Sequence, residues 1–267
     1  RQEIRGKYHA GCATGILNAP DASYDPANAK AVVLGSFDNG APILRVKAQN
    51  KVHFQECVGL ETDPTAPLFL WPSRLDPVQK GCQLLSDILY RFVSAHWGDK
   101  VQFAVVANGP YQDVFSHITH FHNIESRVAV VDFHEDLSRL GFAASDFILM
   151  PSLFEPCGLP QMIAPMYGSL TVAHDTGGLH DTVWDLDVAG NAGNGFLFKN
   201  YDSGGLWWAM EQALKFFQSP ADLREAQLRR IVADARQRFN HNVTARNYIQ
   251  LYEQMLHRNL VVEHHHD

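Results

Sequence analysis

Three segments of this sequence place charged or small residues where a short β-rich run gives way to a helical pattern. The first, Ser73-Arg74-Leu75-Asp76-Pro77-Val78-Gln79-Lys80-Gly81, puts two cations at a strand end and a helix start. A helix N-terminus repels cations, so Arg74 and Lys80 suit an anion held between them, although an isolated pair also reads as solvated surface charge. The second, Pro151-Ser152-Leu153-Phe154-Glu155-Pro156-Cys157-Gly158-Leu159-Pro160-Gln161, sets a carboxylate one turn ahead of a helix. The first amides of that helix, including those of Gly158 and Leu159, are free to bind oxygen atoms. Glu155 could accept from a sugar hydroxyl, stabilise positive charge on an anomeric carbon, or act as a plain helix-start acid. Cys157 reads as a small buried hydrophobe rather than a nucleophile, because no histidine and carboxylate pattern surrounds it.

The third segment, His174-Asp175-Thr176-Gly177-Gly178-Leu179-His180-Asp181-Thr182-Val183, leads paired glycines into a helix. Gly177 and Gly178 let backbone amides approach a phosphate, with Thr176 adding a hydroxyl donor; an ordinary capped turn is the alternative. Two further strand ends carry Asn108-Gly109-Pro110 and Phe133-His134-Glu135. Gly109 either borders a nucleotide or makes a turn, and Phe133 either stacks on a base or packs inward. On one rim, the three main segments agree on gripping the diphosphate of a sugar nucleotide with cations and helix N-termini.

The elements that must position them are legible. Strand candidates are Leu68 to Pro72, Val101 to Ala107, Arg127 to Asp132, Phe147 to Pro151, Leu170 to Ala173 and Gly195 to Phe198. Most are apolar throughout, as strands covered on both faces are. Helical spacing marks Lys80 to Trp97, Tyr111 to Phe121, Asp136 to Ala144, Leu159 to Tyr167 and Gly178 to Asp185 between them. Gly204 to Gln218, Ala221 to Phe239 and Val243 to Leu260 follow, and a helix from about Arg45 to Leu60 precedes the first strand. This alternation predicts an α/β fold with a doubly wound, Rossmann-like parallel sheet whose ligands bind at the carboxyl ends of the strands. The turn-rich start, with Leu17-Asn18-Ala19-Pro20-Asp21 and Tyr24-Asp25-Pro26, reads as a connector.

The 267 residues are 46% hydrophobic and 19% charged, which excludes a disordered chain, and the four separated cysteines exclude a disulfide scaffold and a zinc knuckle. Apolar runs such as Phe147 to Met150 are far shorter than the ~20 residues a membrane span needs. The net charge of −7 argues against wholesale nucleic-acid binding. The chain opens on Arg1-Gln2-Glu3 and closes on Glu263-His264-His265-His266-Asp267, so 263–267 is read as a tag remnant and the chain as an excised fragment.

The segments Lys47-Ala48-Gln49-Asn50-Lys51, Ser73 to Gly81, Phe154 to Gln161 and Thr176 to Val183 together resemble bacterial glycogen synthases and plant starch synthases. That resemblance implies a GT-B glycosyltransferase, of which this chain is the C-terminal half. Residues 1–26 would be a connector with the end of the N-terminal domain, 27–242 the nucleotide-sugar-binding domain, and 243–262 a helix crossing back to the absent N-terminal domain. It implies glucose transfer from ADP-glucose, less often UDP-glucose, to the non-reducing end of an α-1,4-glucan, with retention and without a metal or other cofactor. Arg74 and Lys80 would hold the diphosphate, and Glu155 would contact the donor glucose. The amides of Cys157, Gly158 and Leu159 would meet sugar hydroxyls, Thr176 and Gly177 the distal phosphate, and Phe133 the adenine. The isolated half would bind nucleotide and turn over little, in the cytoplasm of a bacterium or the plastid of an alga or plant. Two departures stand out: Ala19-Pro20 replaces the Gly-Ile of the family's connector, and only Gly109 remains of a Gly-x-Gly turn. A GT-B transferase with another donor or acceptor, and a non-catalytic nucleotide- or glucan-binding module, are the alternatives; Ile163 stands where the first of these usually has a second glutamate.

Overall fold

Six short apolar runs pair into one sheet because strands covered on both faces need no polar alternation. A computed structural model of the chain describes residues 2–28, 34, 35, 37 and 42–260; the tag assignment at 263–267 and the domain start at 27 to about 41 fall wholly or partly outside them. The strands are β1 Leu68–Trp71, β2 Gln102–Val106, β3 Val128–Val131, β4 Phe147–Met150, β5 Leu170–His174 and β6 Gly195–Phe198. All pairs are parallel, in the order β3-β2-β1-β4-β5-β6. Phe69 lies opposite both Phe103 and Phe147, with ring centroids 5.1 and 5.0 Å away, so an aromatic row runs through the sheet centre. The direction of strand addition reverses between β1 and β4, which opens a crevice at their carboxyl ends.

The helices are α1 Gln2–His9, α2 Ile43–Val58, α3 Cys82–Ala95, α4 Gln112–Phe121, α5 Glu135–Ala144, α6 Pro160–Ile163, α7 Gly177–Thr182, α8 Ser203–Phe217, α9 Ala221–Arg238 and α10 His241–Leu256. Helix α3 packs against α4 and α8, while α2 packs against α5 and α9. Three elements differ from the sequence reading. The helix expected over Leu159 to Tyr167 turns 3-10 from Ala164 onward, because Pro165 lacks the amide that would continue the α ladder. Helix α7 stops at Thr182, where Val183 turns extended and the chain pairs Asp185 with Gly195 beside the sheet edge. Helix α1 was not anticipated in the connector; it lacks a buried residue among those described.

Helix α2 explains the Lys47 to Lys51 segment. Lys47, Lys51 and Gln55 recur every four residues and so share one face, and all three are buried. Lys47 Nζ donates to the carbonyls of Ala143 and Tyr167 at 3.3 and 3.0 Å and to Ser169 Oγ at 3.1 Å. Lys51 Nζ reaches Asp146 Oδ2 at 2.5 Å and the Ala66 carbonyl at 2.7 Å, and Gln55 Nε2 donates to Gln102 Oε1 at 2.7 Å. Those partners precede or begin β5, β4, β1 and β2 in that spatial order. The polar stripe therefore braces the amino ends of the strands, opposite the rim where ligands bind.

Burial drives the Lys47 amine down from its ordinary value to about 7, a shift that the Asp146 carboxylate opposes and Lys51 reinforces. Below about pH 7 the folded state carries the full cost of a buried charge; above it the unfolded chain holds a proton that the fold has released, so stability rises with pH toward 10.5. The stability of the natural chain relative to Lys47→Met, from urea denaturation at pH 7 and 9.5, should grow by up to ~1.4 kcal/mol per pH unit. A difference that stays flat across this range would refute a neutral Lys47.

Candidate functional site

The loop after β1 is a folded turn rather than a flexible link. Trp71 is buried and donates through Nε1 to the Ser73 carbonyl at 2.8 Å, and Leu75 is buried beneath the loop. Asp76 Oδ1 accepts the amides of Gln79 and Val78 at 2.7 and 2.9 Å, which hold its carboxyl below the usual range. The Lys80 amide then closes onto the Asp76 carbonyl at 3.1 Å, directing Lys80 back under the sheet rim.

There Lys80 meets the loop after β4. Its Nζ lies 2.6 Å from Glu155 Oε2, both side chains being buried. Ser152 Oγ donates to the same carboxylate oxygen at 3.2 Å, and His174 Nδ1 donates to the Ser152 carbonyl at 2.8 Å. The Leu153 amide reaches the Gln79 carbonyl at 2.8 Å, stitching the two loops together across the switch point. Ser152 and His174 were not singled out from sequence; their only signal is that both are polar residues at the ends of apolar strands.

The glycines after β5 serve close packing. A Cβ on Gly177 would stand 2.1 Å from the Glu155 carbonyl oxygen, and one on Gly178 would stand 2.0 Å from that of Cys157. The Gly178 amide donates to the Glu155 carbonyl at 2.7 Å, so it is not presented to a phosphate, which corrects the expectation for that residue. Gly177 opens α7, and its amide precedes the intrahelical ladder. Buried Gln161 bolts the assembly: its Nε2 donates to the Cys157 and Gly158 carbonyls at 2.8 and 3.2 Å and to Thr182 Oγ1 at 3.2 Å. A buried glutamine in an apolar turn was the missed signal. Gly178→Ala should cost about 1–3 kcal/mol by forcing the Glu155 loop aside, whereas Gly98→Ala, with nothing within 4 Å, should change little. Thermal denaturation of both variants checks this, and equal melting temperatures would refute the packing account.

A cleft of about 610 Å³ opens above these contacts, lined by Ser73, Arg74, Lys80, Asn108, Phe133, Glu155 and neighbouring residues. Arg74 is exposed, and Phe133 is 51% exposed with its amide held by Asn108 Oδ1 at 2.9 Å. Gly109 sits beside the Leu75 backbone, and the Asn108 carbonyl accepts the Leu75 amide at 3.1 Å. Arg74, Lys80, Glu155 and Phe133 thus share one cavity. Cys157, Gly158, Leu159, Thr176 and Gly177 adjoin it through the Glu155 backbone rather than line it; among the described residues the amides of 157–159 have no hydrogen-bond partner. Two cations and an aromatic face around one cleft suit a phosphorylated ligand carrying a ring. Among the described residues no group of three or more His, Cys, Asp or Glu side chains could hold a metal ion, and no helix is long and apolar enough to cross a membrane.

Comparison with known proteins gives this cleft a family. The family model described as glycosyl transferases group 1 matches residues 66–215, more than half of the chain and every segment that builds the cleft. The chain belongs to this family. Among its relatives, the glycogen synthase of Clostridioides difficile is 36% identical over 208 residues, 76% of this chain and 41% of that protein. The glycogen synthase of Trichodesmium erythraeum is 36% identical over 257 residues, 95% of this chain and 52% of that protein. The catalytic domain of starch synthase IV from Arabidopsis thaliana, in a structure bound to ADP and acarbose, superposes with a TM-score of 0.79 at 30% identity, covering 94% of this chain and 51% of that one. The chain spans about half the length of the curated relatives it matches. The chain has the doubly wound parallel α/β sheet read from its strand pattern, and its match to the starch synthase IV catalytic domain agrees with the GT-B-like fold that the resemblance implied.

Proposed function

We propose that the chain supplies the nucleotide-sugar half of the active site of a retaining glucosyltransferase, one that moves glucose from ADP-glucose to the non-reducing end of an α-1,4-glucan. The observation that carries this reading is the buried Lys80 and Glu155 pair at the switch point, with Arg74 at the same cleft. When the glycosidic bond to the diphosphate breaks, negative charge builds on the departing oxygens, and preorganised cations lower the energy of that state. Lys80 and Arg74 take this role; Glu155 faces the donor sugar, and Phe133 offers its exposed ring to the base. Thr176, Gly177 and the unpartnered amides of 157–159 stand next to the diphosphate and sugar positions. Calorimetric titration with ADP and UDP tests the reading. Saturable ADP binding at least tenfold tighter than UDP is expected, and no saturable binding of either nucleotide would overturn it.

The acceptor side would come from a second domain closing over this rim. Helix α10 leaves Tyr248, Tyr252, Met255 and Leu256 exposed, and α1 leaves Ile4 and Tyr8 exposed. Exposed apolar side chains on helices of this kind associate when uncovered. Light scattering on the chain should therefore give a mass that climbs above 29.9 kDa with concentration, and a constant monomer mass would count against a docking role for these helices.

A further inference from the structure

The two oxygens of the Glu155 carboxylate are not equivalent. Oε2 takes both side-chain donors that reach this residue, Lys80 Nζ at 2.6 Å and Ser152 Oγ at 3.2 Å, while among the described residues Oε1 has no hydrogen-bond partner. Glu155 is only 6% exposed yet lines the cleft, so one buried acceptor is left for a donor that arrives from the cleft.

The main chain of Glu155 is fixed separately. Its carbonyl accepts the Gly178 amide at 2.7 Å, and Gly177 packs against the same oxygen. The side chain still has to be oriented, and the last torsion of a glutamate is broad and roughly two-fold, so the two oxygens can exchange. Lys80 alone does not prevent this, because a diphosphate competes for its ammonium. Ser152 is the donor that stays. It is buried and absent from the cleft lining, so its hydroxyl is out of reach of a ligand. Its carbonyl accepts His174 Nδ1 at 2.8 Å, and the His174 ring packs against those of Phe198 and Tyr201, with centroids 5.4 and 4.9 Å away. One residue on, the Leu153 amide is held by the Gln79 carbonyl. Ser152 is thereby tied to β5, to the end of β6 and to the loop after β1. A serine that only satisfied its own turn would close on a backbone carbonyl or amide, whereas this one is aimed at a single oxygen of a buried carboxylate.

We propose that Ser152, backed by His174, is a positioning residue for the transfer: it keeps Oε2 of Glu155 turned inward when Lys80 engages the diphosphate, so that Oε1 stays presented to a hydroxyl of the donor sugar. The sugar as partner of Oε1 rests on the function proposed above. Ser152 then acts on the difference between ADP-glucose and ADP rather than on nucleotide affinity, because a preset acceptor favours the ligand whose hydroxyl fills it.

Calorimetric titration of the chain with ADP-glucose and with ADP tests this, alongside the carboxyl-carbon NMR resonance of Glu155, assigned by comparison with Glu155→Gln. Ser152→Ala is expected to lower the ratio of ADP-glucose to ADP affinity about tenfold, with ADP affinity within about threefold of the natural chain. In the same variant the Glu155 resonance should move with no nucleotide added. Ser152→Thr keeps the hydroxyl and should restore both, and urea denaturation confirms that each variant is folded. His174→Asn keeps a donor near the Nδ1 position and should behave as the natural chain, whereas His174→Leu should follow Ser152→Ala. ADP binding with an unchanged ratio in Ser152→Ala, or Ser152→Thr behaving as Ser152→Ala, overturns the role of Ser152 and leaves the donor reading intact. A natural chain that binds neither nucleotide overturns the donor reading and with it the sugar as partner of Oε1, while a Glu155 resonance still moved by Ser152→Ala upholds the hold of Ser152 on the carboxylate.

Discussion

Lys80→Met is expected to weaken ADP binding by about 10–100-fold, the loss of one charge-assisted hydrogen bond to a phosphate. The same substitution should cost about 3 kcal/mol of stability, because it strands the Glu155 carboxylate, only 6% exposed, with Ser152 as its remaining side-chain donor. Methionine keeps the stem volume, so a fall in affinity reports the lost charge rather than a cavity. The partner gives an opposite result. Lys80 is held by Glu155 at 2.6 Å, and a diphosphate must compete for it. Glu155→Gln removes the competitor while keeping an acceptor of similar shape. That variant should bind ADP as tightly as the natural chain or up to about tenfold tighter. Calorimetry resolves both directions, and urea denaturation of each variant confirms folding. If Lys80→Met binds ADP normally, or Glu155→Gln loses it, Lys80 is not the diphosphate ligand.

How much of this was legible in the sequence depended on whether a residue acts locally or across the fold. The six strands were readable because each is a short apolar run, and the cleft residues Arg74, Lys80, Glu155 and Phe133 were readable because each follows a strand. The sequence offered no way to see that Lys80 and Glu155, 75 positions apart, touch, since that follows from β1 and β4 being neighbours in the sheet. Glycine chemistry misled in one place. Paired glycines before a helix suit a phosphate, yet Gly178 is small because the Cys157 carbonyl passes over it, a contact set by tertiary packing. For Lys47 and Lys51 the sequence carried only a family resemblance and no role, because the carbonyls and the carboxylate that make their burial tolerable come from strand ends far along the chain.

Those lysines lead to the second large effect. Lys51→Met should destabilise the fold by about 3–5 kcal/mol, a large part of the total for a domain of this size. The ammonium lies 2.5 Å from Asp146 Oδ2, which also accepts the Leu68 amide at 2.9 Å, so the substitution leaves a buried carboxylate at the entrance to both β1 and β4. The cost comes from the unpaired charge rather than from any intrinsic strength of the ion pair, and that distinction is measurable. In Lys51→Met/Asp146→Asn both charges of the pair are gone, and the asparagine carbonyl can still accept from Leu68. The double variant should therefore recover to within about 1–2 kcal/mol of the natural chain, the residue being the lost hydrogen bond to the Ala66 carbonyl. Denaturant midpoints for the two single variants and the double complete the cycle; a double variant as unstable as Lys51→Met would mean that the pair itself, not its balance, supports the fold. ADP affinity should stay level in the double variant, because the stripe on α2 and the donor cleft lie at opposite ends of the same strands. A loss of ADP binding with stability restored would instead show that the amino ends of β1 and β4 set the spacing of the loops that carry Lys80 and Glu155.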